Sequence, residues 1–275
     1  MQNKKILAAL IGAACLLIVF VLSKKHLNKD SQLIEPVAQV TMHSEVSWED
    51  ILGHFNEEAQ LPNTIAMLLG DSMQLEIKDT GYINTSIEFC YKNQYFLPAA
   101  FIQLKKARLV KDLTSWIKAT ESIHTLGMME QDTSLRSFMM AQVISSSNEI
   151  LGLDAENMKG HLYQALALAD KRETMMNAVP HLLSVVRTDE NNIPALYTLG
   201  LLSIESGQLD KALQRFEKLV SLQPSNPEYH LRLASVYEQT GNKSDALKHY
   251  ERCLALTTDN PAMQEELKQI ITNLK

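Results

Sequence analysis

The feature that most constrains this chain is a 34-residue repeat near its carboxyl end. Residues 193–226 and 227–260 have the same length and align without a gap. A fixed period of this size is typical of arrays in which each unit buries its apolar face against the next. Because the apolar residues inside each unit recur at helical spacing, we predict two antiparallel helices per unit.

The aligned positions carry residue types that a helix pair needs. They are Gly200 with Ala234, Gly207 with Gly241, Ala212 with Ala246 and Phe216 with Tyr250, and Pro224 closes the first unit. The first and third pairs place small side chains where two helix axes cross closely. The second pair ends the first helix with a residue that tolerates a left-handed backbone. The pattern therefore predicts both the crossing and the turn.

This pattern resembles the tetratricopeptide-repeat family, whose 34-residue units have a small residue, a turn glycine and an aromatic residue at these positions. The resemblance implies an all-α, right-handed helical solenoid built from antiparallel helix pairs. It extends in phase to residues 159–192, where Glu173 replaces the turn glycine and Pro180 falls early in the second helix. We therefore predict three units over residues 159–260.

Two further regions complete the predicted soluble domain. Residues 46–158 are interpreted as a degenerate region of the same type, with one unit at 81–114 and a second, longer unit at 115–158. Residues 261–275 are predicted to form a capping helix, because the last unit of a solenoid would otherwise expose its apolar face.

In the family, the inner surface of the solenoid binds proteins or peptides, and the second, fifth, ninth, twelfth and thirteenth positions of each unit form it. Carried over residue by residue, the resemblance predicts a partner-binding groove that includes Tyr163, Asp170, Tyr197, Leu201, Glu205, Leu231 and Glu238. Packing is the alternative interpretation for the tyrosines and leucines, and solvation for the carboxylates. Members that clamp a terminal carboxylate carry Lys and Asn at the fifth and ninth positions, so these residues predict no such clamp.

The amino-terminal part of the chain contains an uncharged run, Ile6 to Leu22, between two pairs of lysines. A helix of that length spans about 25 Å, and lysine side chains at its ends can reach the headgroups. We predict a basic leader at 1–5, a transmembrane signal anchor at 6–22 and a flexible tether at 23–45. A cleaved signal peptide and a bacterial lipoprotein are the alternatives, although neither cleavage pattern is well matched.

The side of the membrane is not decided by the sequence. Two lysines and the amino terminus precede the apolar run, and three lysines follow it, so the flanking charges nearly balance. We expect a single-pass protein, as in a bacterial inner membrane, with its soluble domain outside the cytoplasm.

Motifs for chemistry are missing from the sequence. The segment 1–30 has a net charge of +4 and the rest of the chain a net charge of −10, which excludes a basic nucleic-acid surface. The histidines and the three cysteines form no metal-ligand spacing, and the glycines form no phosphate loop. We therefore predict no catalytic residue, metal, cofactor or small-molecule substrate.

Three functions follow from these observations. The chain is interpreted as a membrane-anchored scaffold for protein partners, or alternatively as an assembly or quality-control factor for envelope proteins. An enzyme with its catalytic residues in 46–158 is the third hypothesis, but that region shows no cluster of polar residues in sequence.

Overall fold

The computed structural model describes residues 61–70 and 79–275 of the chain. Within them the backbone forms twelve α-helices, one short 3₁₀ helix and no strand, which confirms the all-α prediction for these residues. None of the helices described is long and apolar enough to cross a membrane. The predicted leader, anchor and tether lie outside the described residues, as do 46–60 and 71–78 of the degenerate region.

The described residues fall into two compact units, one ending at Pro224 and the other beginning at Ser225. We call them the long unit and the short unit. The helices of the long unit are α1 (Asn63–Leu69), α2 (Thr80–Lys92), α3 (Phe96–Val110), α4 (Leu113–Gly127), α5 (Thr133–Leu153), α6 (Met158–Ala169), α7 (Ala178–Thr188), α8 (Ile193–Glu205) and α9 (Leu209–Leu222), with the 3₁₀ helix at Met175–Asn177. The short unit contains α10 (Pro227–Gln239), α11 (Lys243–Leu256) and α12 (Pro261–Leu274).

In the long unit every helix from α2 to α9 packs against the next one along the chain. The first helices of successive pairs also contact each other, α4 with α6 and α6 with α8. The pairs α2–α3 and α4–α5 lie where the degenerate units are predicted, and the greater length of the second appears in α5, which has 21 residues against 14 in α9. One apolar cluster runs through this unit from α1 to α8.

In the short unit α10 packs on α11, and α11 packs on α12. Leu267 and Ile271 of α12 are buried in the same apolar cluster as Ala246 and Tyr250 of α11. This contact is the one expected of a capping helix, because it covers the apolar side of α11 that would otherwise face water.

Asparagine residues cap the first helices of the last three repeats and the terminal helix α12. The side-chain oxygens of Asn157, Asn192, Asn226 and Asn260 accept backbone hydrogen bonds at the starts of α6, α8, α10 and α12. Asparagine is among the best helix N-caps because its oxygen satisfies an amide that has no partner within the helix. The last two intervals between caps equal the repeat period, and the first interval is longer by a single residue.

The longer interval corrects the predicted boundary at residue 159, because α6 begins one residue earlier, at Met158. The additional residue lies in the link between α6 and α7, where Glu173 takes the place of a glycine. Among the described residues, a positive φ occurs only at Gln94, Lys111, Gly207 and Gly241. The link therefore cannot make the tight glycine turn of the other repeats, and instead passes through turns and the 3₁₀ helix.

The crossing of α8 and α9 depends on a very close contact. A Cβ atom added to Gly200 would lie 2.8 Å from Cζ of Phe216, whose ring is fully buried. The ring of Tyr197 meets that of Phe216 edge-on, with centroids 6.1 Å apart. Ala212 is also fully buried. The small residue at position 200 thus allows an aromatic side chain of α9 to pack directly against the backbone of α8.

The short unit repeats this arrangement with different residues. Ala234 and Ala246 are fully buried, and Tyr250 takes the place of the phenylalanine. The hydroxyl of Tyr250 donates a hydrogen bond of 2.7 Å to Oε2 of Glu238, which joins α11 to α10. The turn glycines Gly207 and Gly241 have φ of 71° and 80°, as the sequence predicts, and Pro224 lies in the link after α9.

We expect Gly200→Leu to lower the free energy of unfolding by about 1–3 kcal/mol, because the new side chain overlaps the buried ring of Phe216. Gly152→Ala is the matched control. Gly152 lies on α5 with no atom within 4 Å of an added Cβ, so this change should raise stability by up to about 1 kcal/mol through helix propensity. Urea unfolding followed by circular dichroism measures both. Equal stability of Gly200→Leu and the wild type would contradict the close crossing.

Candidate functional site

The contact between α4 and α6 brings together polar side chains of three helices. Glu121 and His124 come from α4, Tyr163 from α6 and Asp170 from its carboxyl end, and Arg136 from α5. We call these five residues the α4–α6 face. Since α4 and α6 are the first helices of successive pairs, this face lies in the row of helices where the sequence predicts the groove.

Tyr163 is held at the α4–α6 face by two neighbours from α4. Its ring centroid lies 5.3 Å from that of His124, and its hydroxyl donates a hydrogen bond to the carboxylate of Glu121. The same carboxylate pairs with Lys159, whose Nζ lies 3.3 Å from Oε2. Burial, followed by the charge of Glu121 and this hydrogen bond, raises the pKa of Tyr163 to about 12. The phenol therefore stays protonated and acts as a donor.

Asp170, which the sequence places in the predicted groove, is already paired within the chain. Nε of Arg136 donates to Oδ1 of Asp170 at 2.9 Å, and Nη2 of the same guanidinium donates to the same oxygen. Only 12% of the Asp170 side chain is exposed. Its charge is thus largely balanced by Arg136, and it contributes less to an attractive surface than its sequence position indicates.

His124 was not among the predicted groove residues, and it has the most unusual surroundings of this face. Its Nε2 is buried without a hydrogen-bond partner among the described residues. Burial lowers the pKa of His124, the charge of Asp170 raises it, and the charge of Arg136 lowers it. The net direction is downward, so the imidazole is neutral at neutral pH. The only signal in the sequence is its spacing of three residues from Glu121, which puts both on one face of α4.

The revised start of α6 changes the repeat position of Tyr163. Counted from Met158, Tyr163 is the sixth residue of its unit, and Leu162 is the residue equivalent to Tyr197 and Leu231. Leu162 packs against the apolar core. Tyr163 therefore reaches the surface between α4 and α6 from the sixth position of its unit, and the fifth position predicted from the alignment belongs to Leu162.

The predicted residues of α8 differ in what they offer at the surface. Tyr197 and Leu201 are half-buried. The ring of Tyr197 contacts Phe216 of α9, whereas the ring of Tyr163 contacts His124 of α4. Glu205 is exposed at the end of α8. Packing against Phe216 therefore explains part of the burial of Tyr197, while Leu201 and Glu205 have side-chain surface available to a partner.

The predicted residues of the short unit take part in its own packing. Leu231 is 8% exposed and belongs to the apolar cluster of α10, α11 and α12. Glu238 accepts the hydrogen bond of Tyr250. Leu231 therefore offers little side-chain surface to a partner, because the core of the unit has already buried it.

We expect the pH dependence of stability to report on His124. The folded chain holds the pKa of this imidazole below its ordinary value of about 6.5, so the unfolded chain binds a proton at higher pH than the folded one. The stabilising contribution is complete above that ordinary value and is lost as the pH falls below it. Between pH 7.5 and pH 5.5, the urea midpoint of the wild type should fall further than that of His124→Gln. Equal losses in the two proteins would contradict the burial of a neutral His124.

Comparison with known proteins adds evidence on the family. Residues 203–270 match the family model of the tetratricopeptide repeat, a stretch two repeat periods long. Among solved structures, MamA 41-end from Desulfovibrio magneticus RS-1 has a TM-score of 0.54 and 18% identity over 66% of this chain and 97% of that chain. YrrB, described as a tetratricopeptide-repeat protein with an unusual peptide-binding site, has a TM-score of 0.52 and 18% identity over 68% and 90% of the two chains.

A second MamA structure has a TM-score of 0.53 and 19% identity, covering 66% of this chain and 93% of that chain. At these identities the likeness to solved structures shows the fold alone. The family match over residues 203–270, the repeat period, the left-handed turn glycines and the small residues at the helix crossings all agree with a tetratricopeptide-repeat fold in this part of the chain.

Proposed function

We propose that this protein is a non-catalytic interaction protein that binds a segment of a partner protein along the row formed by α4, α6 and α8. The observation that supports the proposal is the direct contact of α4 with α6 and of α6 with α8. First helices that stack in this way present one continuous surface, which is how arrays of helical repeats generally bind proteins. YrrB has an unusual peptide-binding site, and that property of YrrB is consistent with the same use of the fold here.

The chemistry of the row favours an uncharged or mixed segment over a strongly basic one. Asp170 is paired with Arg136, and Glu121 with Lys159, so two of the carboxylates along the row are already neutralised. Tyr163 and Leu201 are half-buried and offer apolar surface. Aromatic groups held in place by neighbours lose little entropy on binding, which makes them suitable contacts for a partner.

Site-specific photo-crosslinking tests this proposal in cells. A crosslinking amino acid in place of Leu201 or Tyr163 should give discrete adducts with a partner protein, because both side chains reach the surface of the row. The same amino acid in place of Glu217, which is exposed on the second helix α9, is the matched control. Adducts of equal strength at Glu217 and Leu201, or none at Leu201 and Tyr163, would contradict binding along the row.

The adduct pattern also separates the two functions that the sequence suggested. A scaffold with one stable partner should give a single adduct whose amount follows the concentration of that partner. An assembly or quality-control factor for envelope proteins should give many adducts, which appear only while new proteins are being made.

We further propose that residues 6–22 anchor the protein in a bacterial inner membrane. The repeats then lie outside the cytoplasm. The support is the uncharged run from Ile6 to Leu22 with lysines at both ends. The tether at 23–45 would then allow the repeat domain to reach partners near the membrane surface.

Membrane extraction tests the anchor. The full chain should stay in the membrane pellet after alkaline carbonate treatment, whereas a variant lacking residues 6–22 should be released. Fusing a reporter enzyme that is active only outside the cytoplasm to Lys275 measures the side of the membrane. Release of the full chain by carbonate would contradict the anchor, and an inactive but intact fusion would contradict the proposed side.

A further inference from the structure

Two histidines of the long unit form a close pair between the helices of one repeat. His161 lies on α6 and His181 on α7, and their Nδ1 atoms are 2.9 Å apart. The ring centroids are separated by 5.1 Å. Both side chains are half-buried, so one side of the pair remains in contact with water. This pair plays no part in the α4–α6 face or in the crossing of α6 and α7 that the sequence predicted.

The contact made by Nε2 of His161 determines which of its two ring nitrogens carries the proton. Nε2 lies 3.1 Å from the backbone oxygen of Ala155. Because a carbonyl oxygen can only accept a hydrogen bond, Nε2 carries the proton, and Nδ1 presents a lone pair towards His181. His181 donates to that lone pair from its own Nδ1. If the proton of His181 moves to its Nε2, two lone pairs face each other across 2.9 Å, an arrangement that needs a cation between them.

We propose that His161 and His181 form a binding site for a divalent transition-metal ion of the kind that imidazole prefers, such as Cu²⁺ or Zn²⁺. Imidazole nitrogens are common ligands for these ions. A histidine that ligates a metal usually donates its other ring N–H to a carbonyl or carboxylate, and the oxygen of Ala155 supplies that contact here. Water fills the remaining coordination positions, because no group of three or more candidate ligands occurs among the described residues.

The distance between the two nitrogens fits such an ion. With metal–nitrogen bonds of about 2.0–2.1 Å, two ligand nitrogens lie about 2.9 Å apart at a right angle and about 3.3 Å apart at the tetrahedral angle. The observed 2.9 Å matches the right angle of a square-planar Cu²⁺ site.

A second pair in the short unit provides a comparison inside the same chain. Nδ1 of His230 lies 2.9 Å from Nδ1 of His249, but His230 is only 5% exposed. His249 is half-buried and stacks on the ring of Tyr237, with centroids 5.7 Å apart, so water reaches this pair from one residue only and an ion there has less room to complete its coordination. The two pairs therefore share their spacing and differ in exposure, and we expect only the His161–His181 pair to bind the ion.

Electron paramagnetic resonance with Cu²⁺ tests the proposal on the full chain in mild detergent, after removal of any affinity tag. The wild type should bind one ion with two nitrogen ligands. His161→Gln and His181→Gln should each lose the two-nitrogen signal and bind Cu²⁺ about tenfold more weakly or worse. His249→Gln, which alters the less exposed pair, should keep the signal. Circular dichroism checks that each variant retains its helix content.

Several outcomes would overturn the proposal. One is an absence of Cu²⁺ and Zn²⁺ binding at millimolar concentration, and another is a wild-type spectrum with a single nitrogen ligand. A signal that survives both His161→Gln and His181→Gln places the ion elsewhere in the chain. A signal lost in His249→Gln but kept in His181→Gln assigns it to the other pair. The wild-type spectrum decides whether the ion has two nitrogen ligands, and the variants that keep their helix content decide which histidines supply them.

Discussion

The close crossing of two helices within each repeat is the constraint on which the rest of the structure depends. In the long unit an aromatic side chain of α9, Phe216, lies against the backbone of α8, because Gly200 has no Cβ. The short unit solves the same problem with Ala234 and Tyr250, both buried. A larger residue at the small position would push the axes apart and open the apolar core between them, which proteins fill to high density. The small residues therefore determine how near the two helices lie.

The packing of neighbouring pairs in the long unit creates the α4–α6 face. Where the first helices α4 and α6 meet, charged side chains from three helices come close enough to pair, as Arg136 does with Asp170 and Lys159 with Glu121. The same contact encloses His124 and leaves its Nε2 without a partner among the described residues. Partly buried charges are favourable only when they are paired, so this face is polar but largely neutral. The pairing of these charges could not be read from the groove positions in the sequence.

Some features of the chain were predictable because they are local. The left-handed turns at Gly207 and Gly241 follow from the one residue type that adopts them without strain. The start of α6 was missed by one residue, because the alignment was extended without a gap through a link that lacks the turn glycine. The cap at Asn157 reveals the shift. Burial of Leu231 and the pairing of Asp170 were not predictable, since both depend on neighbours more than one turn away in sequence.

The sequence by itself determined the helix content, the period and the residues at the crossings, because these depend on local periodicity and on side-chain size at single positions. Only the tertiary structure decided which side chains meet across helices. His161 and His181 are 20 residues apart, and their Nδ1 atoms come within 2.9 Å only because α6 and α7 pack together. His124 and Tyr163 meet only because α4 and α6 do. Such contacts depend on helix rotation and register, which a pattern of apolar residues specifies too coarsely to place individual atoms.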